Sequence, residues 1–341
     1  LTSTIIEVLA LRNVKAIRLH AFGPAENLRY EEVPDPVAET GPEMGMVLVE
    51  VEAAGVHLVD TMIRSGSTGD SPIPIPDLPT IPGREVAGRV GAVGPDVDAS
   101  WLGKRVVVHL GMVPGGYAER AVAKAESLYE IPDHVDAAQA VAAIGTGRTT
   151  AGILSQARLT ADDVVLVTAA AGGIGSYLVQ AGRNVGATVI GLAGGAAKVD
   201  LVRSLGAQYA IDYNDPDWVA GLKAELGDRE ISVLLDGVGG ASGQQAFDLL
   251  GYGGRLLMFG WSGGGAIEFT DADLAARGLT ADWAIGAKLA AQLRTLEAAA
   301  LEETVSGRWH ALTTTFPLSE AAAAHQALED RQTIGKVVLI P

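Results

Sequence analysis

Residues 164–175 read Val-Val-Leu-Val-Thr-Ala-Ala-Ala-Gly-Gly-Ile-Gly, and no other stretch constrains the fold as tightly. The apolar, β-branched start predicts a buried parallel strand. The small residues that follow predict a tight turn. From Ser176 to Val185, apolar Leu178, Ala181 and Val185 recur at helical spacing, which predicts a helix packed by one face. Strand, glycine turn and helix together form the context of a phosphate-binding loop. Gly172 would let the backbone approach a pyrophosphate. Gly175 would let helix and strand pack closely, and the free N–H groups of the helix start would face the anion. Ala170 stands where the first glycine of G-x-G-x-x-G is usual. A plain small-residue turn is the competing explanation, but the periodicity on both sides favours a dinucleotide site.

With 341 residues, 48% of them hydrophobic, the chain can build two ordinary domains. It has no cysteine, which excludes disulfides, thiolate metal sites and cysteine nucleophiles. A formal net charge of −16 disfavours nucleic acid and anionic membrane surfaces as partners. No apolar run reaches the length of a membrane span. Residues 1–11 are apolar but carry no basic leader and no clear cleavage site, so they are expected to be a short extension rather than a signal peptide. The expected location is cytoplasmic.

Residues 14–21, 84–93 and 105–109 predict strands, and residues 115–120 open another. Residues 47–53 alternate apolar and polar, which predicts a half-buried strand. Residues 70–82 are rich in proline and predict a surface loop. Beyond Pro132 the pattern changes. Asp136 can cap a helix reaching about Ile144, and residues 149–157 predict a second one. Strands are then expected at 164–168, 188–192, 209–212, 232–236, 255–260 and 279–283. The helices between them should start near Ser176, Ala196, Trp218 and Gly243. Six strands alternating with helices make a doubly wound sheet. A helix at 289–305, a strand at 313–316, a helix at 319–329 with Ser319 as N-cap, and a strand at 336–340 complete the chain. The expected division is a β-rich domain at 1–133, a dinucleotide-binding domain at 134–286, and a return to the first domain at 287–341.

An NAD-preferring fold usually has an acid at the end of its second strand, about 20 residues past the loop. Here that position is Ala193, and Lys198 follows at the start of the next helix. A missing acid and a nearby cation favour a 2′-phosphate. A solvated helix lysine is the plainer explanation of Lys198 alone.

Several short motifs follow one another along the chain: Gly55-Val-His-Leu-Val-Asp60, Arg64-Ser-Gly66, Pro82-Gly-Arg-Glu-Val-Ala-Gly88, Gly103-Lys-Arg-Val106, Gly115-Gly-Tyr-Ala-Glu119, Asp236-Gly-Val-Gly-Gly240, Phe259-Gly260 and Gly335-Lys-Val-Val-Leu339. With the loop at 169–175 they span nearly the whole chain. In them the sequence resembles the zinc-independent medium-chain dehydrogenases/reductases, specifically the quinone oxidoreductase group. The resemblance implies an α/β fold, with a GroES-like β-rich domain joined to a doubly wound Rossmann domain and the cofactor in the cleft between them. It implies NADPH, with Lys198 and Tyr213 on the 2′-phosphate and Arg331 as a further contact. Thr149, Ala171, Gly172, Gly173, Ile174, Gly175, Gly237, Gly239, Phe259, Gly260 and Ser262 match the remaining cofactor positions. His57, Met62, Arg64 and Trp261 fall in the substrate pocket. It also implies a homodimer paired through the last Rossmann strand, and residues 279–283 are apolar enough to form an edge that needs cover.

Zinc-containing relatives ligate the metal at positions that are His57, Arg84 and about Thr146 here, and they carry a four-cysteine loop that this chain lacks. One imidazole cannot supply three ligands, so no metal is expected. The chain departs from the quinone oxidoreductases at His57 (usually asparagine), Leu58 (an aromatic), Met62 (a tyrosine) and Trp261 (a polar residue). Without a metal, the hydride acceptor must be electron-poor in itself, a quinone or an enone. His57 is the one side chain there with a pKa suited to proton donation, and a histidine that only hydrogen-bonds the cofactor is the alternative. Asp60 and Arg64 are expected to be a structural pair or loop anchors. A small-molecule reductase is thus the leading expectation. An enoyl-thioester reductase and a nonenzymatic NADPH-binding protein are the alternatives.

Overall fold

The computed structural model describes residues 13–36, 43–67 and 74–341. The apolar N-terminal extension and residues 70–73 of the proline-rich loop lie outside the described residues.

The chain opens with an antiparallel hairpin, β1 (Asn13–Leu19) and β2 (Leu28–Pro34). β3 (Met46–Val56), α1 (Leu58–Ser65), β4 (Glu85–Val93), β5 (Arg105–His109), β6 (Arg120–Lys124) and β7 (Tyr129–Glu130) follow. α2 (Ala137–Ala142) then begins where Asp136 accepts a hydrogen bond from the Gln139 N–H at 2.7 Å, the cap its sequence position predicts.

Next come α3 (Arg148–Ala157), β8 (Val164–Val167), α4 (Gly173–Val185), β9 (Thr188–Ala193), α5 (Ala196–Ser204) and β10 (Tyr209–Asp212). They are followed by α6 (Trp218–Leu226), β11 (Ile231–Asp236), α7 (Gly240–Asp248), β12 (Leu250–Met258), α8 (Asp271–Arg277) and β13 (Thr280–Trp283). The series ends in α9 (Ala287–Ala290) and α10 (Leu293–Val305), before β14 (Thr313–Pro317), α11 (Ala321–Glu329) and β15 (Lys336–Ile340).

Two compact units result. One holds the described residues up to Ile144 together with Thr313–Pro341, and the other is Gly145–Leu312. These limits differ from the expected breaks at 133/134 and 286/287, for a reason of packing. α2 lies on β3 and β4 and stays with the first unit, while α10 lies on α3 and stays with the second.

In the second unit, β10-β9-β8-β11-β12-β13 form one sheet, parallel throughout. Alternation along the strands feeds two cores. Val165, Val167, Val233 and Leu235 face one, and Leu166, Leu234 and Leu256 face the other. The order reverses between β8 and β11, which is the switch point of a doubly wound sheet. In the first unit, β14-β15-β3-β4-β5-β7 form a sheet with β6 also paired to β3. The return of the chain is visible in β15, which pairs antiparallel with β3 (Val338 opposite Gly55).

Several elements differ from expectation. β3 alternates as expected over Val49–Ala53, with Glu50 exposed and Glu52 half-buried, but is buried on both faces from Ala53 to Val56, where Val141 of α2 lies against Gly55. α4 starts at Gly173 and α7 at Gly240, each three residues early, since glycine N-termini carry no apolar period to reveal them. The expected helix at 289–305 is broken into α9 and α10. Ser319 lies in a 3₁₀ turn and does not cap α11, whose N-cap is Glu320 without a side-chain bond.

Candidate functional site

In the second unit, the carboxyl end of β8 runs into the glycine turn. Ala169 takes a left-handed φ of +47°. Gly172 is the N-cap of α4 and no side chain bonds the free N–H groups of the first turn. A Cβ on Gly175 would collide with the carbonyl oxygen of Ala169, and one on Gly172 would lie 3.2 Å from the same atom. Backbone and helix therefore close on each other with no side chain between them, leaving the α4 N-terminus bare for an anion. Gly173 and Ile174 belong to that first turn, and Ala171 is buried beneath it. Thr149 is half-buried on α3, where its hydroxyl donates to the Gly145 carbonyl at 3.1 Å.

The neighbouring strand ends are tied to this turn. The Thr168 hydroxyl donates to Asp236 Oδ1 at 2.8 Å and accepts from the Gly237 N–H at 3.0 Å. Asp236 Oδ2 accepts from the Gly239 N–H at 2.8 Å. Burial raises the pKa of Asp236 against the bonds it accepts from Thr168, Gly239 and, at 3.3 Å, the Val238 N–H. The loop after β12 locks into the loop after β11. The Gly263 N–H donates to the Val238 carbonyl at 2.7 Å, the Gly240 N–H donates to the Gly265 carbonyl at 2.8 Å, and the Ser262 hydroxyl donates to the Gly237 carbonyl at 3.4 Å. The Phe259 ring fills the space a Gly237 side chain would need, and a Cβ on Gly260 would lie 2.7 Å from the Gly237 carbonyl oxygen. Gly237, Gly239, Phe259, Gly260 and Ser262 are thus brought together on one rim. Asp236 and Thr168, which hold that rim, escaped sequence reasoning. An acid closing a buried apolar strand was the available signal.

At the end of β9, Ala193 offers no carboxylate. The nearest one, Asp212 on β10, is engaged by the backbone N–H groups of Gly195 and Asn214, both at 3.0 Å, and these bonds hold its pKa low. Tyr213 follows, its N–H on the Ala193 carbonyl at 3.1 Å. Its hydroxyl lies over Gly194, where a Cβ would come within 2.6 Å. Lys198 stands in the first turn of α5, and partial burial pushes its pKa down. That is not the environment of a fully solvated lysine. Arg331 belongs to the other unit, in a left-handed turn (φ +57°) after α11.

In the β-rich unit, His57 is the N-cap of α1, and its backbone N–H donates to Asp60 Oδ2 at 2.8 Å. Its Nε2 is buried, 2.8 Å from Glu85 Oε1. Glu85 is 0% exposed and also contacts the Lys336 ammonium. Burial drives the Glu85 carboxyl pKa up, but the charges of His57 and Lys336 outweigh it and hold it well below the carboxylate range. A side chain on Gly55 would strike Glu85, so that glycine makes room for the carboxylate. Nε2 of His57 therefore faces inward, which works against proton donation from that nitrogen. Asp60 and Arg64 do not pair with each other. Asp60 lies 3.6 Å from Arg84, and Arg64 reaches Glu329 of α11 at 2.5 Å. Arg64 is buried, and Met62 is half-buried on the same helix. Glu85 and Lys336 were legible only as motif letters, because nothing in their spacing shows that they meet.

Two family models match the chain. "Alcohol dehydrogenase GroES-like domain" covers residues 43–133, and "Zinc-binding dehydrogenase" covers residues 173–301. The quinone oxidoreductase of Sus scrofa is 32% identical over 333 residues, covering 96% of this chain and 98% of the relative. The chain belongs to the quinone oxidoreductase group of the medium-chain dehydrogenases/reductases. A 2-haloacrylate reductase from a Burkholderia species is likewise 32% identical, covering 96% and 99% of the two chains. The Escherichia coli quinone oxidoreductase, solved in complex with NADPH, is 29% identical, with a TM-score of 0.81 over 96% of this chain and 100% of that one. Membership in the group accounts for the GroES-like and Rossmann-like units seen here. The zinc in the second family model's name has no counterpart in a cysteine of this chain. Among the described residues no cluster of three or more His, Asp or Glu side chains is arranged to hold a metal.

Proposed function

We propose that the protein is an NADPH-dependent, zinc-free reductase of quinones or α,β-unsaturated carbonyl compounds. The observation that carries this reading is the second unit's ligand rim: a bare helix N-terminus beside a β9 end with no acid, with Lys198 in the first turn of α5 and Tyr213 just after β10. The bare N–H groups of α4 suit a pyrophosphate, and Lys198 and Tyr213 suit a 2′-phosphate. When bound, the reduced nicotinamide would supply a hydride, and the other hydrogen of a hydroquinone or saturated product would arrive as a single proton from solvent. The chain contributes position and electrostatics. The rim of Gly237, Gly239 and Gly260 lets backbone approach a flat ring without side-chain obstruction. Glu85 and Lys336 hold His57 as an anchor rather than as an acid. The activities named for the porcine and Burkholderia relatives, reduction of a quinone and of a conjugated acid, support this acceptor class.

The test is Lys198→Ala with both nicotinamide cofactors titrated at several salt concentrations in a chelator-containing buffer. A charge-assisted contact of roughly 1.5–3 kcal/mol, reduced by partial solvent exposure, predicts NADPH binding weakened about tenfold or more. NADH binding should be unchanged, and the NADPH loss should shrink as salt rises. Wild-type protein binding both cofactors equally, or a variant weakened equally for both, would overturn the assignment. Activity abolished by the chelator and restored by zinc would overturn the metal-free part.

A further inference from the structure

The chain has five tryptophans. Trp218 and Trp309 are buried and Trp101 is half-buried, while Trp261 and Trp283 are 43% and 41% exposed. The two exposed rings stack on each other, with centroids 4.9 Å apart and planes inclined by 27°. Both stand at the carboxyl end of the parallel sheet, Trp261 in the loop after β12 and Trp283 closing β13. That end is where ligands of doubly wound sheets bind, across the β8/β11 switch point. Trp261 is not free to drift. Its loop is bonded to the loop after β11, and a Cβ on Gly239 would lie 3.3 Å from Trp261 Cβ. The glycine rim is thereby fixed beside the indole pair.

Stacking hides one face of each ring, and two large aromatic surfaces remain in water beside a ligand-binding rim. The loop that carries Trp261 is also uncharged: from Phe259 to Ile267 no side chain is ionisable, and Asp282, next to Trp283 in the chain, is exposed. We infer that Trp261, braced by Trp283, is a specificity-determining residue that stacks against planar, fused-ring acceptors and favours them over acyclic enones. The inference rests on the reductase reading above and adds the acceptor's shape.

The experiment compares 1,4-naphthoquinone, p-benzoquinone and the acyclic enone 3-penten-2-one with wild type, Trp261→Leu, Trp261→Phe and Trp283→Leu. Wild type should favour naphthoquinone in kcat/KM. Trp261→Leu should raise the naphthoquinone KM roughly three- to tenfold, the range a ring–ring contact supplies, and by more than it raises the enone KM, so that the naphthoquinone-to-enone ratio of kcat/KM falls. Trp261→Phe should retain most of the preference, because it keeps a flat ring. Independently of turnover, anthraquinone-2-carboxamide should quench the indole fluorescence of the wild-type protein and lose that effect in Trp261→Leu. Quenching without turnover of any acceptor would uphold the platform and overturn the reductase reading. Wild type with no preference for the fused ring, or Trp261→Leu weakened equally for all acceptors, would overturn the platform. So would a Trp283→Leu protein that keeps the preference but dissociates into subunits, since the stack would then serve a subunit contact.

Discussion

At the scale of single residues, the β-rich unit is notable for what it buries. His325 on α11 is fully enclosed, its Nε2 3.2 Å from the Tyr117 hydroxyl, which in turn lies 3.3 Å from Asp60 Oδ2. With Nε2–H donating to Tyr117 and Tyr117 donating to Asp60, the chain of bonds is satisfied by a neutral imidazole. Burial pushes the pKa of His325 down to about 4; Asp60 opposes the shift and the charge of Arg64 adds to it. In an unfolded chain the group would titrate near its ordinary value of about 6.5. Between those values the unfolded state binds a proton that the folded state refuses. Stability therefore rises with pH across this window and is lost as pH falls from about 6.5 toward 4. The loss from this one group between pH 7 and pH 5 should be about 2 kcal/mol. Urea denaturation of wild type and His325→Gln at both pH values measures it. The glutamine variant, which cannot take the proton, should show the shallower pH dependence. Parallel curves would mean that His325 is not the group responsible.

At the scale of elements, α4 shows why glycines matter at a helix start. Gly175 sits on the face turned to the Ala169 carbonyl, a backbone atom that cannot swing aside. Gly175→Ala should push helix and turn apart, destabilise the unit and weaken NADPH binding together. Gly221 in α6 is the control, because nothing lies within 4 Å of its would-be Cβ and its φ is not positive. Gly221→Ala should stabilise by roughly 0.5–1 kcal/mol, the helix propensity difference. Thermal melts and a cofactor titration on the two variants check the pair. Similar behaviour at both sites would mean that the close approach at Gly175 has no structural weight.

For the whole molecule, the β13 edge of the second unit's sheet, one of its two edges, is a feature left to satisfy. β13 has a neighbour on one side only, β12, and Thr280, Asp282 and Trp283 are exposed along it. An uncovered strand edge offers unpaired N–H and C=O groups to a second copy. Sedimentation at micromolar concentration should show a homodimer, and a monomer there would remove this role for β13. Among the described residues no helix is long and apolar enough to cross a membrane.

Wherever the physics is local, the amino-acid sequence alone was sufficient. The alternating strands and helices of the second unit, the phosphate-loop turn, the missing acid at Ala193 and the cap at Asp136 all depend on neighbours within one or two turns of chain. They were legible as period, spacing and residue type. The strand at 209–212 in the second unit and the strand at 336–340 in the β-rich unit agree with their expected limits for the same reason. The tertiary structure decided what depends on partners distant in sequence. The carboxyl end of β3 is enclosed because β15 returns from the far end of the chain to pair with Ala54–Val56 and α2 packs over it. Asp60 pairs with Arg84 and Arg64 with Glu329, although Asp60 and Arg64 are one helical turn apart. His57 turns its Nε2 to Glu85, and Glu85 is charged in the interior because Lys336 arrives beside it. Trp261 meets Trp283 only because β12 and β13 are neighbours in the sheet. Each of these contacts is a choice of partner made by packing, and spacing along the chain carries no information about it.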